Sequence, residues 1–421
     1  MGCAQGRPWL ALLAAACLSS CSGIAAAVDL QITGFGTAGY ARTFEHDLTY
    51  LRYIDHDGTF KADSLVGVQA EVQINPQFGA TVQAVASAPR TRDDGYEAKV
   101  RWAFVSLRPE NDWLLRLGRV RPPVFINTQN AEVGVTYDTA RLPAEVYTLS
   151  PVYDVDGAAI TKTWHPESAE ISLDGYWGKA DVKYRAHYQS DPPARYFPER
   201  ITATGLVLSY ASGPVLLRGG FHHAELKATG SERFPEEFSP MTIPGAPPIG
   251  GTLYVPSGTM SETPVQLFTL GADWRGEQWR ITAEYGKRRA LDSDLLVNDQ
   301  SGYVTVARRL AAWTPYVTYA RMLSRAATRN AYRSVYDAPV PLAVQVAPPF
   351  LPSSYHRMLG DGVSVFDQHS TMLGASYAFS PTSKLKMEWM RTTIGITSML
   401  VDGEAQNRSF NVLTLSYSVA F

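Results

Sequence analysis

The side chains best suited to metal or acid–base chemistry are eight histidines: His46, His56, His165, His187, His222, His223, His356 and His369. None stands in an HExxH helix pattern or any other metal-ligand spacing. His222 and His223 are neighbours in an alternating stretch, so their rings leave opposite faces of a strand and cannot hold one ion. Asp361, Asp367, His356 and His369 crowd one loop region, where a hydrolase could recruit them as acid and base. No GxSxG elbow or phosphate-binding loop accompanies them. Gly34-Phe35-Gly36 lies inside a strand pattern, where glycine eases curvature better than it cradles phosphate. The three cysteines, Cys3, Cys17 and Cys21, all fall near the N-terminus. The rest of the chain has no disulfide, thiolate metal site or cysteine nucleophile. The residues therefore predict no catalytic site, no cofactor and no metal.

The ordered charges follow a different rule: they alternate with apolar residues. Ile281, Ala283 and Tyr285 interleave with Arg280, Thr282 and Glu284. Val100, Trp102 and Phe104 interleave with Lys99 and Arg101, and Leu115 and Leu117 flank Arg116. Val215, Leu217 and Phe221 share a face opposite Arg218 and His222. Leu385, Met387 and Trp389 share one opposite Lys386 and Glu388. Glu71 sits opposite Val66, Val68, Ala70 and Val72. Period two puts one apolar and one polar face on each strand. In a soluble sandwich the polar face is the solvated exterior, but this many strands would then need an equally large dry core.

Turn order separates the two architectures. Short turns at 75–77, 109–112, 166–168, 212–214, 275–277, 310–312 and 381–383 alternate with long polar connections such as 43–61, 120–154, 224–263 and 324–369. Tight turns at one end and long loops at the other mark a transmembrane β-barrel. Sixteen antiparallel strands are predicted, at about 31–42, 62–75, 77–88, 97–109, 112–120, 156–165, 168–179, 200–211, 214–226, 264–275, 277–288, 299–309, 311–323, 369–380, 383–395 and 408–421. Val182, Tyr184, Ala186 and Tyr188 also alternate and read as a strand extension or loop. After residue 27 no run of 18 apolar residues occurs, so only a closed barrel could satisfy the backbone within a membrane.

Composition fits that reading. The chain has 421 residues, 45% hydrophobic and 19% charged, with formal net charge -2. Removing Arg7, the only charge before residue 28, leaves about -3 (-2 minus one positive), which gives no nucleic-acid signal. Arg7, the apolar stretch from Trp9 to Leu18, and Ala25-Ala26-Ala27 read as a signal peptide over 1–27, with the barrel domain at 28–421. Leu18-Ser19-Ser20-Cys21 offers an alternative lipoprotein cleavage box. Trp102, Trp113, Trp164, Trp177, Trp274, Trp279, Trp313 and Trp389 all fall in expected strands. Trp113, Trp164, Trp274, Trp279 and Trp313 lie near short turns, where a periplasmic aromatic girdle would sit. The last strand ends on Leu415, Tyr417, Val419 and Phe421 on one face, as a barrel-closing strand requires.

The start at Ile32-Thr33-Gly34-Phe35-Gly36-Thr37-Ala38-Gly39-Tyr40, the stretch Leu115-Arg116-Leu117-Gly118-Arg119 before the third long loop, and the terminal aromatic together resemble the trimeric Gram-negative porins. The resemblance spans about residue 31 to Phe421. It implies an inward-folded third loop with acids facing a wall of arginines. By that analogy Glu132, Asp138 and Glu145 are the loop acids and Lys99, Arg101 and Arg116 the basic wall, with Tyr137, Tyr147 and Tyr153 packing the loop in place. The family's Pro-Glu-Phe-Gly-Gly loop signature is missing, and Arg141-Leu142-Pro143-Ala144-Glu145-Val146-Tyr147 looks closer to a divergent proteobacterial group. The implied function is passive diffusion of small polar solutes and ions across the outer membrane. Outer-membrane lipid and lipopolysaccharide are the implied surroundings, and a homotrimer the implied assembly. Arg101, Arg116, Arg218 and Arg280 against Glu71, Asp273, Glu284 and Glu388, with Lys386, give a mixed lumen wall and predict weak ion preference. A barrel hydrolase of phospholipase or protease type and a plugged structural or adhesion barrel are the alternatives.

Overall fold

The computed structural model describes residues 29–150, 154–189, 193–231 and 233–421. The expected signal peptide at 1–27, and Tyr153, lie outside these residues. In chain order the first strands are β1 Asp29–Thr43, β2 Leu48–Tyr50, β3 Leu65–Gln73, β4 Phe78–Ser87, β5 Glu97–Leu107, β6 Trp113–Val120 and β7 Val155–Trp164. Next come β8 Glu170–Ala186, β9 Arg195–Ser212, β10 Val215–Ala228, β11 Phe234–Ile243, β12 Gly251–Met260 and β13 Glu262–Arg275. The last are β14 Trp279–Ala290, β15 Asp299–Arg308, β16 Trp313–Ser324, β17 Phe366–Ser380, β18 Ser383–Ser398, β19 Val401–Gly403 and β20 Arg408–Ala420.

Sixteen of these strands pair with their neighbours into a closed antiparallel barrel, and β20 returns to β1 with Tyr417 opposite Ala38. All sixteen expected barrel strands are present. The Val182 stretch belongs to β8, which extends to Ala186. Closure leaves no unpaired sheet edge, which suits a chain that crosses hydrocarbon. The outward face is apolar: Ile32 is 65% exposed, Leu117 59% and Leu206 59%, while the inward Val207 is fully buried. Such a belt would be a liability in water and matches lipid. No described helix is long and apolar enough to cross a membrane.

One strand departs from simple alternation. Gln83 pairs with Trp102 and Ala84 with Val100, so a bulge sits at Arg101. The extra residue flips the pleat. Trp102 and Phe104, expected to face lipid, lie opposite the inward positions Gln83 and Thr81. Val105 takes the lipid side at 56% exposure. Trp102 lies beside the guanidinium of Arg121, 6.0 Å from its ring centre.

The long connections hold more structure than the sequence suggests. Within 224–263, β11 and β12 form a separate hairpin. Pro235, Pro240 and Pro256 lie inside it, and proline masks a strand signal. Within 324–369 there are helices Ala326–Tyr336, Leu342–Val346 and Tyr355–Asp361. They hold by packing rather than propensity: Tyr332 joins Leu295, Val363, Val365 and Ile396, while Val340 and Val344 join Leu253 of the hairpin. The small ladder of β2 with β19 ties the first long loop to the last.

Candidate functional site

The segment between β6 and β7 begins Arg121-Pro122-Pro123. Proline cannot donate to a ladder, so the chain leaves the sheet there. At its root, Arg121 pairs with Glu132 at 2.9 Å and Asp154 at 2.8 Å, and Arg101 reaches the same acids at 3.0 and 3.7 Å. Two guanidinium groups and two carboxylates thus clamp both ends of the segment. Burial alone would raise the carboxyl of Glu132, but Arg121 and Arg101 hold it below its ordinary range.

From this root the segment reaches the inward side chains of the far wall. Lys386 donates to the carbonyls of Gly134 (2.6 Å) and Thr139 (3.0 Å) and lies over the Tyr137 ring. Lys384 pairs with Asp138 at 2.7 Å, and Ser376 donates to the same carboxylate. The Ala140 amide donates to the Tyr316 hydroxyl, which donates to Glu388 at 2.7 Å. Glu145, fully buried, accepts from Gln368 and Ser370. Glu284 gathers three donors: the Ile126 amide (2.6 Å), Tyr147 (2.7 Å) and Tyr303 (2.8 Å). Arg218 donates to the carbonyl of Phe125, and Arg288 to that of Leu149. The wall makes room for this approach: a Cβ on Gly286 would stand 2.5 Å from Leu149. Val124, Phe125, Val146, Tyr147 and Leu149 pack with Tyr303, Met322, Met372 and Met390 into an apolar core. Since the partners are the inward residues of β10 and β13 to β18, the segment is a bar across the lumen.

Of the six residues assigned by analogy to facing walls, the structure brings Glu132 and Arg101 together. The other pairings differ from that expectation. Asp138 meets Lys384 and Glu145 meets Gln368 and Ser370, all on the far side. Lys99 pairs with Glu97 of its own strand at 2.7 Å. Arg116 donates to Thr161, which donates to Asp174. Asp273 accepts from Arg275, Arg280 and Thr282, and Glu71, exposed, accepts from Gln69. Tyr303, Tyr316 and Lys384 went unnoticed in the sequence, though the alternation that turns Lys386 and Glu388 inward also turns Lys384. Gln368 was missed because it precedes the expected start of its strand.

The four acid–base candidates are not brought together. Both ring nitrogens of buried His356 are engaged, by the Tyr254 amide and the Ala338 carbonyl. His369 faces outward beside Tyr319, 6.1 Å between ring centres. Asp361 accepts from the Gln189 amide, and Asp367 from the Ile396 amide.

Above the bar, the long loops meet across the mouth. Arg185 of β8 binds Asp93 at 2.9 Å and Asp402 at 2.9 Å, and Gln189 donates to the carbonyl of Gly403. Burial would raise Asp93, but Arg185 and the Tyr196 hydroxyl hold it below its ordinary range. Burial raises Asp361 to about 6. A carboxyl with a raised folded value contributes stability at low pH and loses it as pH rises through that value; one with a depressed value does the opposite. Protonating Asp361 weakens its acceptance of the Gln189 amide but removes a buried charge, so the packing around Asp361 is expected to be more stable at pH 5 than at pH 7.5, while Asp93 still holds Arg185. Amide exchange over 325–365, corrected for intrinsic rates, should slow over that range in the wild type and lose this pH dependence in Asp361→Asn. An equal pH response in both proteins would exclude Asp361 as its source.

No family model matches the sequence, and no curated protein does. Solved structures do match in fold. OmpT, an outer membrane protein of Vibrio cholerae solved in a trimer form, aligns with TM-score 0.53 and 10% identity over 94% of this chain and 100% of its own. An anion-selective porin from Comamonas acidovorans gives 0.52 and 12% over 94% and 100%. Salmonella typhi OmpF gives 0.52 and 11% over 93% and 97%. The fold is that of the Gram-negative outer-membrane porins, and the chain is porin-like in architecture.

Proposed function

We propose that this barrel is a passive pore for small polar solutes and ions in the bacterial outer membrane, narrowed by the segment 121–154, and not an enzyme. The observation that carries the reading is the bar itself, held at both ends and along its length against inward polar side chains. A ring wall of mixed charge around a fixed narrowing selects by size and polarity. Paired charges such as Arg280 with Asp273 and Lys384 with Asp138 leave little net field, which supports weak ion preference. The separation of His356, His369, Asp361 and Asp367 speaks against the hydrolase alternative. A homotrimer remains part of the proposal, by likeness to a neighbour solved as a trimer.

A second reading has its own support. The bridge from Arg185 to Asp402 crosses the mouth and favours a plugged barrel. Swelling of liposomes in graded sugars separates the two. The pore reading expects swelling that falls with solute size; no swelling with any sugar, at protein levels verified by immunoblot, favours the plug.

A further inference from the structure

The bulge at Arg101 turns two large aromatic side chains, Trp102 and Phe104, away from lipid and into the lumen. On the lipid face such rings are at no disadvantage; against water they are apolar surface left uncovered. Bulges beside functional sites re-aim side chains in this way. The two rings lie 6.2 Å apart, and both keep part of their surface open. Phe104 continues an apolar patch of the inner wall made by Val120, Val155, Ala159 and Tyr176. The bar rests on β10 and β13 to β18, so the wall of β5 to β9 lines the passage it leaves. A passage for purely polar solutes has no use for such a patch.

Beside the patch stands a cation with donors to spare. Phe104 pairs in register with Gly118, and Arg116 is two residues along the same strand, about 7 Å away and on the same inward face. Arg116 makes one long bond, 3.4 Å from its guanidinium to the Thr161 hydroxyl, and its Nε meets no acceptor. Most of its five donors are therefore unspent. Thr161 in turn donates to Asp174, which keeps that carboxylate one hydroxyl away. Other inward cations are committed. Lys99, Arg101, Arg275, Arg280, Arg288 and Lys384 each pair with a carboxylate, and Arg218 and Lys386 donate to carbonyls of the bar. Among the described residues Arg116 does neither. The Trp102 indole N–H likewise finds no acceptor. Open rings and unspent donors thus lie side by side, and a carboxylate on an apolar body complements both.

We propose that this wall is a binding station for small organic acids with an aromatic body, of which benzoate is the simplest. The ring lies against Trp102 and Phe104, and the carboxylate accepts from Arg116. Charge and apolar contact each hold the solute weakly; together they favour its entry without trapping it. One unspent guanidinium among paired charges leaves the bulk ion preference weak. The proposal deepens the pore reading and rests on it, because solute reaches this wall through an open lumen.

The test is single-channel recording with benzoate, acetate, benzyl alcohol and glucose added in turn. Acetate carries the charge without the ring, and benzyl alcohol the ring without the charge. Benzoate should interrupt the current at concentrations about tenfold below either. Arg116→Gln should weaken the benzoate block about tenfold, and Trp102→Leu/Phe104→Leu by a similar factor. Arg200→Gln, on the outer wall, should leave it unchanged. Acetate or benzyl alcohol acting as strongly as benzoate, glucose acting more strongly, or a wild-type block in either inward variant would each overturn the proposal. Conductance steps in the variants show that they are folded. Steps without any benzoate block defeat the site and spare the pore. A silent bilayer defeats the pore reading instead. Saturation transfer from the detergent-solubilised protein to benzoate then decides the site, and no transfer, or equal transfer in Arg116→Gln, overturns it.

Discussion

Glu284→Ala is expected to release the lumen bar and raise single-channel conductance. Its carboxylate accepts from the Ile126 amide, Tyr147 and Tyr303, and all of these lie where the bar meets the wall. Deleting it strands three donors at a cost of about 1–3 kcal/mol each where water cannot replace the acceptor. The cheapest relief is for the tip to swing from the wall and let water in. Conductance and open-channel noise should then rise, and trypsin should cut within 121–150. Glu284→Gln keeps one acceptor oxygen, and tyrosine hydroxyls can rotate toward it, so its effect should be smaller. Wild-type conductance and wild-type trypsin resistance in Glu284→Ala would show that the bar does not depend on this anchor.

The second large effect concerns the outer wall. Phe221 on β10 is 50% exposed and faces outward, at the middle of its strand. Phe221→Arg should destabilise the barrel in lipid by about 2–4 kcal/mol, as a cation placed at the bilayer midplane does. Glu71→Arg makes a larger charge change at an exposed inward position, and should leave stability within about 0.5 kcal/mol. Its effect should fall on ion preference, shifting it toward anions. Urea titration in vesicles reads the first effect and reversal potential the second. Equal destabilisation by both substitutions would mean that the two faces do not see different solvents.

The barrel was legible because its signal is repeated. Each strand carries a weak alternation, but strict succession of short turns and long loops fixes which end is which. The charges Arg280, Glu284, Lys386 and Glu388 were placed inward by that same periodicity, and they line the wall that receives the bar. Partners across the lumen were not legible. That Asp138 meets Lys384, and Glu145 meets Gln368, depends on how far residues 121–154 cross the barrel, and no local pattern encodes that distance. The reversal at Trp102 and Phe104 has a plainer cause: one bulged residue, Arg101, shifts every later side chain to the other face. The helices of 326–361 and the hairpin of β11 and β12 escaped notice because proline and short apolar runs hide elements that only mutual packing stabilises.

The most direct measurement is current through the wild-type protein in a planar bilayer. A water-filled lumen behind a fixed bar requires steady, uniform conductance steps, with a reversal potential near zero under a salt gradient. A bilayer that stays silent while holding folded, heat-modifiable protein would contradict the account, whatever the barrel encloses.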